Sequence, residues 1–250
     1  MAARSESPQQ TRYFDILAAH YDRYAEITGD RYRSWLAGVI PDRIGQGSRA
    51  VDVGCGNGRF TGLLADRYDE VLAVDIAERQ LEMARTKRDR PNIRYEHRDL
   101  RAVTPEGDGL FDLVLSVNTI NHLRDHNDTL RRIRDLVAPG GHAVLVDIVY
   151  DDARSRHRLW QYQDALRHAA RILVGRRSVS DALAVLKLRW HPTWIELVTT
   201  EIPLSRAQFH QRYREVFEGA TFADDLLPIV CAIRWQAPME HKMIRAVPHD

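Results

Sequence analysis

The chain has 250 residues, 44% of them hydrophobic, enough for one domain with a sizeable core. Lys and Arg number 36 against 35 Asp and Glu. That near-neutral balance carries no electrostatic footprint for a nucleic-acid duplex or an anionic membrane, although it leaves room for a local basic patch.

The two cysteines, Cys55 and Cys231, cannot build a disulfide framework and sit in no CxxC spacing, so a reduced, cytoplasmic setting is expected. The N-terminal MAARSESPQQTRYF has no apolar h-region, so no secretory signal is expected. No apolar run approaches the roughly 20 residues of a membrane span. No internal repeat is found.

Residues 1–10 are polar and are expected to be disordered. Apolar and aromatic spacing predicts a helix over 13–27 and a second over 31–39. Pro41 and the Gly45-Gln46-Gly47-Ser48 stretch then break the chain. Strand and helix alternate from there: a strand at 49–53, a helix at 59–67, a strand at 70–75 and a helix at 78–88, stopped by Pro91. Strands follow at 92–97 and 111–117. A helix is expected at 129–137, with Asp128 near its start where negative charge suits the dipole. Pro139-Gly140-Gly141 is read as a turn before a strand at 142–149. Residues 151–190, rich in Arg, His, Trp and Tyr, break the alternation and look helical. A strand at 194–201, a Ser-capped helix at 205–218 and strands at 221–226 and 229–236 complete the pattern, before a tail at 237–250. The alternation implies right-handed crossovers and an α/β parallel sheet, which binds ligands at the carboxyl ends of its strands.

The first chemical signal is Val51-Asp52-Val53-Gly54-Cys55-Gly56-Asn57-Gly58, between a strand and a helix. Glycines at alternate positions let the backbone turn sharply and come close to a ligand, and the helix start adds free N–H groups. A dinucleotide fingerprint, G-x-G-x-x-G, would need glycine where Arg59 stands. Asp52 would repel a pyrophosphate but suits a ligand carrying an ammonium group. The turn taken alone is also what any tight strand-to-helix connection requires.

Two further acids follow at strand ends. Asp75, in Val74-Asp75-Ile76, lies about 20 residues past the first glycine, where a carboxylate can accept from both hydroxyls of a ribose; an N-cap for the helix at 78–88 is the alternative. Asp99, in His97-Arg98-Asp99-Leu100, can accept from an adenine amino group, with Leu100 and Ile76 as apolar faces for the ring; an ordinary loop aspartate is the alternative. Together they sit at the ends of successive strands, in the order one extended ligand needs.

On VDVGCGNGRF, VLAVDIAERQLEMAR, HRDL, FDLVLSVNTINHL and LRRIRDLVAPGGHAVLVDI, which cover about residues 49–149, the chain resembles class I S-adenosylmethionine-dependent methyltransferases of the small-molecule type. The resemblance implies a Rossmann-like, seven-stranded, mostly parallel sheet with helices on both faces and a helical cap. It implies a lid at 1–45, a cofactor-binding core at 46–150, a cap insertion at 151–218, and closing strands with a tail at 219–250. It further implies that Gly54, Cys55, Gly56 and Gly58 pass beneath the methionine part of S-adenosyl-L-methionine. Asp75 would hold the ribose and Asp99 the adenine, while residues 116–118, Asn118 included, would lie near the sulfonium. The entry helix TRYFDILAAHYDRYAEI resembles the family's lid, with Tyr13 and Tyr21 as lid residues; plain helix packing explains them equally well.

A sulfonium makes its methyl group electrophilic unaided, so the protein mainly positions a nucleophile, and a base is needed only where a hydroxyl must lose a proton. The candidates are His122 in NTINHL and His191 in RWHPTW, each also readable as a packing histidine. Trp190 and Trp194 either line an acceptor pocket or belong to the core of the added helices. The arginines at 154–158 and 176–177 either meet an acidic substrate or form a solvated face. No Asn/Asp-Pro-Pro-Tyr motif or Pro-Cys pair follows the fourth strand, which argues against adenine, glutamine-amide and cytosine-5 methylation. The expectation is an enzyme that methylates O, N or C of a small, moderately apolar metabolite, as in specialised metabolism, with no metal, nucleic acid or membrane partner, as monomer or homodimer. The rivals are a cofactor-binding regulator without transfer activity, an NAD-dependent oxidoreductase, and a related fold using the cofactor for a non-methyl-transfer reaction.

Overall fold

The expected strands assemble into one seven-stranded sheet in the order β3-β2-β1-β4-β5-β7-β6. The computed structural model describes residues 8–239 apart from positions 29, 43–45, 124, 151–156, 202, 225 and 228. The segment at 1–7 and the tail beyond 239 lie outside the described residues.

Strands β1 (Arg49–Val53), β2 (Glu70–Asp75), β3 (Ile93–His97), β4 (Phe111–Val117) and β5 (Val137–Ile148) run parallel. β6 (Thr221–Ala223) and β7 (Val230–Gln236) close one edge, with β7 antiparallel to both its neighbours. The central strands are almost unbroken apolar runs because both faces of the sheet are covered. Helices α2 (Asp30–Val39) and α3 (Thr61–Ala65) cover one face through Leu36, Ile40 and Leu64. On the other, α6 (His126–Asp135) and α10 (Arg206–Val216) contribute Leu130, Ile133, Phe209 and Tyr213. α4 (Glu78–Arg88) packs Leu81 and Ala84 on Ala73 of β2, and the short α5 (Pro105–Asp108) precedes β4.

The remaining helices form a layer of their own. α1 (Pro8–Thr28) contacts α8 (Val179–Arg189) and α9 (Pro192–Thr200), and α7 (Arg158–Arg176) pairs with α8. Tyr13, Leu17, Leu188 and Leu197 make one apolar cluster there, and Ile27, Ala169, Ala182 and Val185 another. α10 falls within the range expected for the cap, yet it packs on the sheet.

The expected strand at 194–201 is a helix, α9. Its β-branched residues point to a strand, but His191 caps it by accepting from Thr193 N at 3.2 Å, and Pro192 stands at its first turn. Ile195 and Leu197 are buried, and that tertiary contact outweighs local propensity. The helix expected at 59–67 is shortened to 61–65, because residues 57–60 still belong to the turn. That expected at 129–137 spans His126–Asp135 instead. The 139–141 turn is an irregular excursion inside β5, where the register against β4 shifts between Phe111 and Leu113. Ser205 caps α10 as expected, in a full capping box with Gln208.

Candidate active site

The strand order reverses between β1 and β4, so their carboxyl ends flank the crevice where such sheets bind ligands. The glycine turn leaves β1 there. Gly54 N and Cys55 N both donate to Val74 O, tying the turn to β2. Gly54, Gly56 and Gly58 all have positive φ, but only two are hemmed in. A Cβ on Gly54 would lie 2.2 Å from the Thr119 side chain, and one on Gly58 would lie 2.6 Å from Tyr95 Oη. A Cβ on Gly56 would meet only Gln80 Oε1, at 4.0 Å. The bare backbone at Gly56 therefore faces open space.

Asp75 sits against this turn. Its Oδ2 accepts from Gly56 N at 2.7 Å and its Oδ1 from Ala77 N at 2.8 Å. Burial raises its carboxyl above the usual range, opposed by those two N–H bonds. Asp52 lies beneath the turn, accepting from Thr61 Oγ1 at 2.6 Å, and burial pushes its carboxyl up to about 7. Cys55 is a packing residue, its thiol buried with Leu81 and Tyr95 and raised well above the ordinary value by burial. Asp99 caps the short turn Leu100–Ala102 and is gripped by Arg101, whose N and Nε both donate to Oδ1 at 2.8 Å and whose Nη2 donates to Oδ2. Burial pushes that carboxyl up, but the Arg101 contacts hold it below the usual range. Leu100 is built into the main core, while Ile76 is half-buried at the end of β2.

At the end of β4, Asn118 has φ 55, and its side chain lies beside the Tyr21 and Tyr32 hydroxyls. Its Oδ1 is buried without a partner among the described residues, as is Gln80 Oε1. Four residues on, His122 Nδ1 lies 2.5 Å from Glu201 Oε1, with a fifth or less of either side chain exposed. The Phe14 ring stands edge-on to the imidazole, 4.9 Å between centroids. The segment carrying His122 is braced by Asp147 at the end of β5, which accepts from Asn121 N at 3.2 Å and from the Tyr213 hydroxyl. Burial pushes Asp147 up to about 6, moderated by these bonds.

One helix spans the crevice. α1 places Phe14 on His122, Tyr21 by Asn118, and Asp15 Oδ1 under Arg79 N at 3.1 Å. Its Asp22 is buried and accepts from Asn57 Nδ2 at 2.6 Å, Arg88 Nη2 at 3.1 Å and Lys87 Nζ. Tyr21 also stacks on Trp194, 6.4 Å between centroids, whereas Tyr13 packs toward α8 and α9. His191 is the cap of α9, next to His20.

The structure thus brings Asp75, the 54–58 turn, Asn118, Tyr21 and His122 to one end of the sheet. Asp22, Asn57, Phe14 and Glu201 join them unanticipated. Helical spacing from Tyr21 carries a signal for Phe14, seven residues back. Nothing local pairs Glu201 with a histidine 79 positions away. A separate group at the sheet edge gathers His210, Asp224 and Cys231, with ligand atoms within 4.8 Å of one another. The Arg206 guanidinium stands among them, 3.1 Å from Asp224 Oδ1 and 3.2 Å from Cys231 Sγ, and so puts positive charge where a cation would have to sit.

Residues 51–145 match the methyltransferase domain family. An O-methyltransferase of Penicillium expansum, cnsE, is 32% identical over 51% of this chain and 47% of its own length. A ubiquinone biosynthesis O-methyltransferase of Acinetobacter baylyi is 28% identical over 59% of this chain and 65% of its own. The chain spans about half the length of the curated relatives it matches. Among solved structures, the DhpI–SAM–HEP complex aligns over 94% of this chain and 99% of that one, with a TM-score of 0.57 at 17% identity. Residues 51–145, which carry the glycine turn and most of the parallel strands described above, thus match a methyltransferase domain.

Proposed function

We propose that the protein transfers a methyl group from S-adenosyl-L-methionine to a hydroxyl of a small, moderately apolar molecule. The observation that carries the choice of oxygen is the His122–Glu201 pair. A carboxylate only accepts, so the imidazole donates through Nδ1–H and its acceptor is Nε2. That tautomer takes a proton from a hydroxyl, and Glu201 then stabilises the imidazolium formed. Amine or activated-carbon acceptors need no such pair.

The residues present fit the cofactor. Asp75 retains lone pairs for a ribose diol, since a carboxylate offers about four acceptor sites and two are used. Asp99 retains room on Oδ2 for an amino donor beside Arg101. Gln80 Oε1 and Asn118 Oδ1, without partners among the described residues, are acceptors near the turn suited to an ammonium group, and Gly56 leaves the space. When bound, the cofactor supplies an electrophilic methyl group on a sulfonium. The chain's own part is to orient the acceptor, exclude water with α1, and remove the proton at His122. Tyr21 and Trp194 supply aromatic surface for the acceptor, and Trp194 Nε1, buried without a partner among the described residues, supplies a donor. This makes 1–45 the lid and α7–α9 the cap, whether the protein acts alone or as a homodimer.

The test is product mass from a panel of small phenols and alcohols incubated with the cofactor, a gain of one methylene unit marking methylation. His122→Gln is expected to lower kcat by about 10²–10⁴-fold and to remove the acid limb of the pH–rate profile. Glu201→Gln is expected to shift that limb, with a smaller loss. A His122→Gln enzyme of undiminished kcat overturns the assignment of oxygen. Cofactor binding without any methylated product favours a regulator.

A further inference from the structure

The near-neutral charge total conceals a local segregation on α7. This helix carries four arginines and a single acidic residue, Asp164. Asp164 is committed to Arg189 of α8, at 2.9 Å. Gln161, Ala165 and Ala169 face inward, Ala169 against Ala182 and Val185 of α8. On the outward side, Leu159, Leu166 and Leu173 recur every seven residues, a spacing that aligns them along one stripe. They are 69%, 50% and 42% exposed, and Val174 beside them is 79% exposed. Arg167 and Arg171, both exposed, lie on the opposite border of the same outward face, across Gln163, Ala170 and Val174 from the leucines, and no ion pair holds either among the described residues.

Leucines exposed to this degree, in line on one helix, mark an interaction surface rather than scattered surface residues. We propose that the outward face of α7 docks peripherally on an anionic lipid surface, leucines in the interface and arginines on the headgroups. Apolar residues flanked by uncompensated arginines are the pattern that lies in the plane of such a surface. A second copy fits less well. Closed two-fold pairing sets the same patch against itself, so Arg167 and Arg171 would face a patch whose one acid, Asp164, is already held by Arg189. An RNA would satisfy the arginines but leave the leucine stripe without an apolar partner. The inference rests on α7 alone and is independent of the methylation chemistry proposed above.

The test is flotation of the full chain with vesicles of equimolar phosphatidylglycerol and phosphatidylcholine, against vesicles of phosphatidylcholine alone. Retention is expected on the anionic vesicles and is expected to weaken as salt rises. Arg167→Gln/Arg171→Gln is expected to lower partitioning about 25-fold, at about fivefold per arginine. Leu166→Gln/Leu173→Gln is expected to abolish retention while lowering the melting temperature by only a few degrees, since about half of each side chain is already in water. Failure of the wild-type chain to float with anionic vesicles overturns the proposal, as does retention that neither double variant reduces. A dimer in sedimentation that the leucine pair dissolves reassigns the face to a second copy. Binding to a random RNA that the arginine pair abolishes, without vesicle binding, reassigns it to nucleic acid.

Discussion

Gly54 and Gly56 stand two residues apart and answer to different constraints. At Gly54 a methyl group collides with Thr119, and φ is also positive. Gly54→Ala is therefore expected to lower stability by several kcal/mol and to yield little folded protein. At Gly56 the backbone strain remains but the space is open, so Gly56→Ala is expected to cost about 1 kcal/mol in stability and far more in cofactor affinity. Thermal melts with and without cofactor separate the two effects. Asp52 gives the residue scale its pH dependence. Its carboxyl titrates near 7 in the fold and near 4 in the open chain, so between those values the folded protein holds the extra proton. Stability from this group is therefore full below about pH 4 and falls as pH rises to about 7. Asp52→Asn, which keeps an acceptor for Thr61, is expected to raise the unfolding free energy at pH 8 by an amount on the order of 2–4 kcal/mol, and to change nothing at pH 4.

Among the elements, α1 reaches the glycine turn, the end of β4 and α4 at once. Its hold on the turn runs through Asp22, whose carboxylate takes Asn57, Lys87 and Arg88 together. Asp22→Asn is expected to cost about 1–3 kcal/mol and to raise the cofactor Kd about tenfold, measured by calorimetry. The strands were legible because each central one is an apolar run bounded by turn residues; β1, β2 and β4 fall where the residue pattern puts them. α9 was not. The stretch TWIELVTT reads as a strand in isolation, and only its burial between α1 and α7 makes it a helix. The site divides the same way. Asp75, Asn118 and the glycines are local to strand ends and therefore readable, whereas Glu201 reaches His122 only through the fold.

At the scale of the whole molecule, the sheet supplies a crevice and the added helices roof it. α1 lies between the two, touching the glycine turn, the end of β4 and α4 on one side and α8 and α9 on the other. The sequence alone predicts a lid and a cap as separate pieces, and the contacts bind them into one layer through Tyr13, Leu17, Leu188 and Leu197. Helices α8 and α9 are therefore anchored by the N-terminal helix, and truncating it would expose their inner face.

The Asp22 clasp also has a bearing on tempo. On the lid role proposed for α1, three donors let go of one carboxylate, and two aromatic rings part from His122 and Trp194, before anything held over the turn leaves. A movement of that size runs against solvent friction, whereas the proton removal proposed at His122 does not. Turnover is accordingly expected to slow in proportion to viscosity when sucrose is added, and to become indifferent to sucrose in the Asp22→Asn enzyme, whose clasp is already loosened.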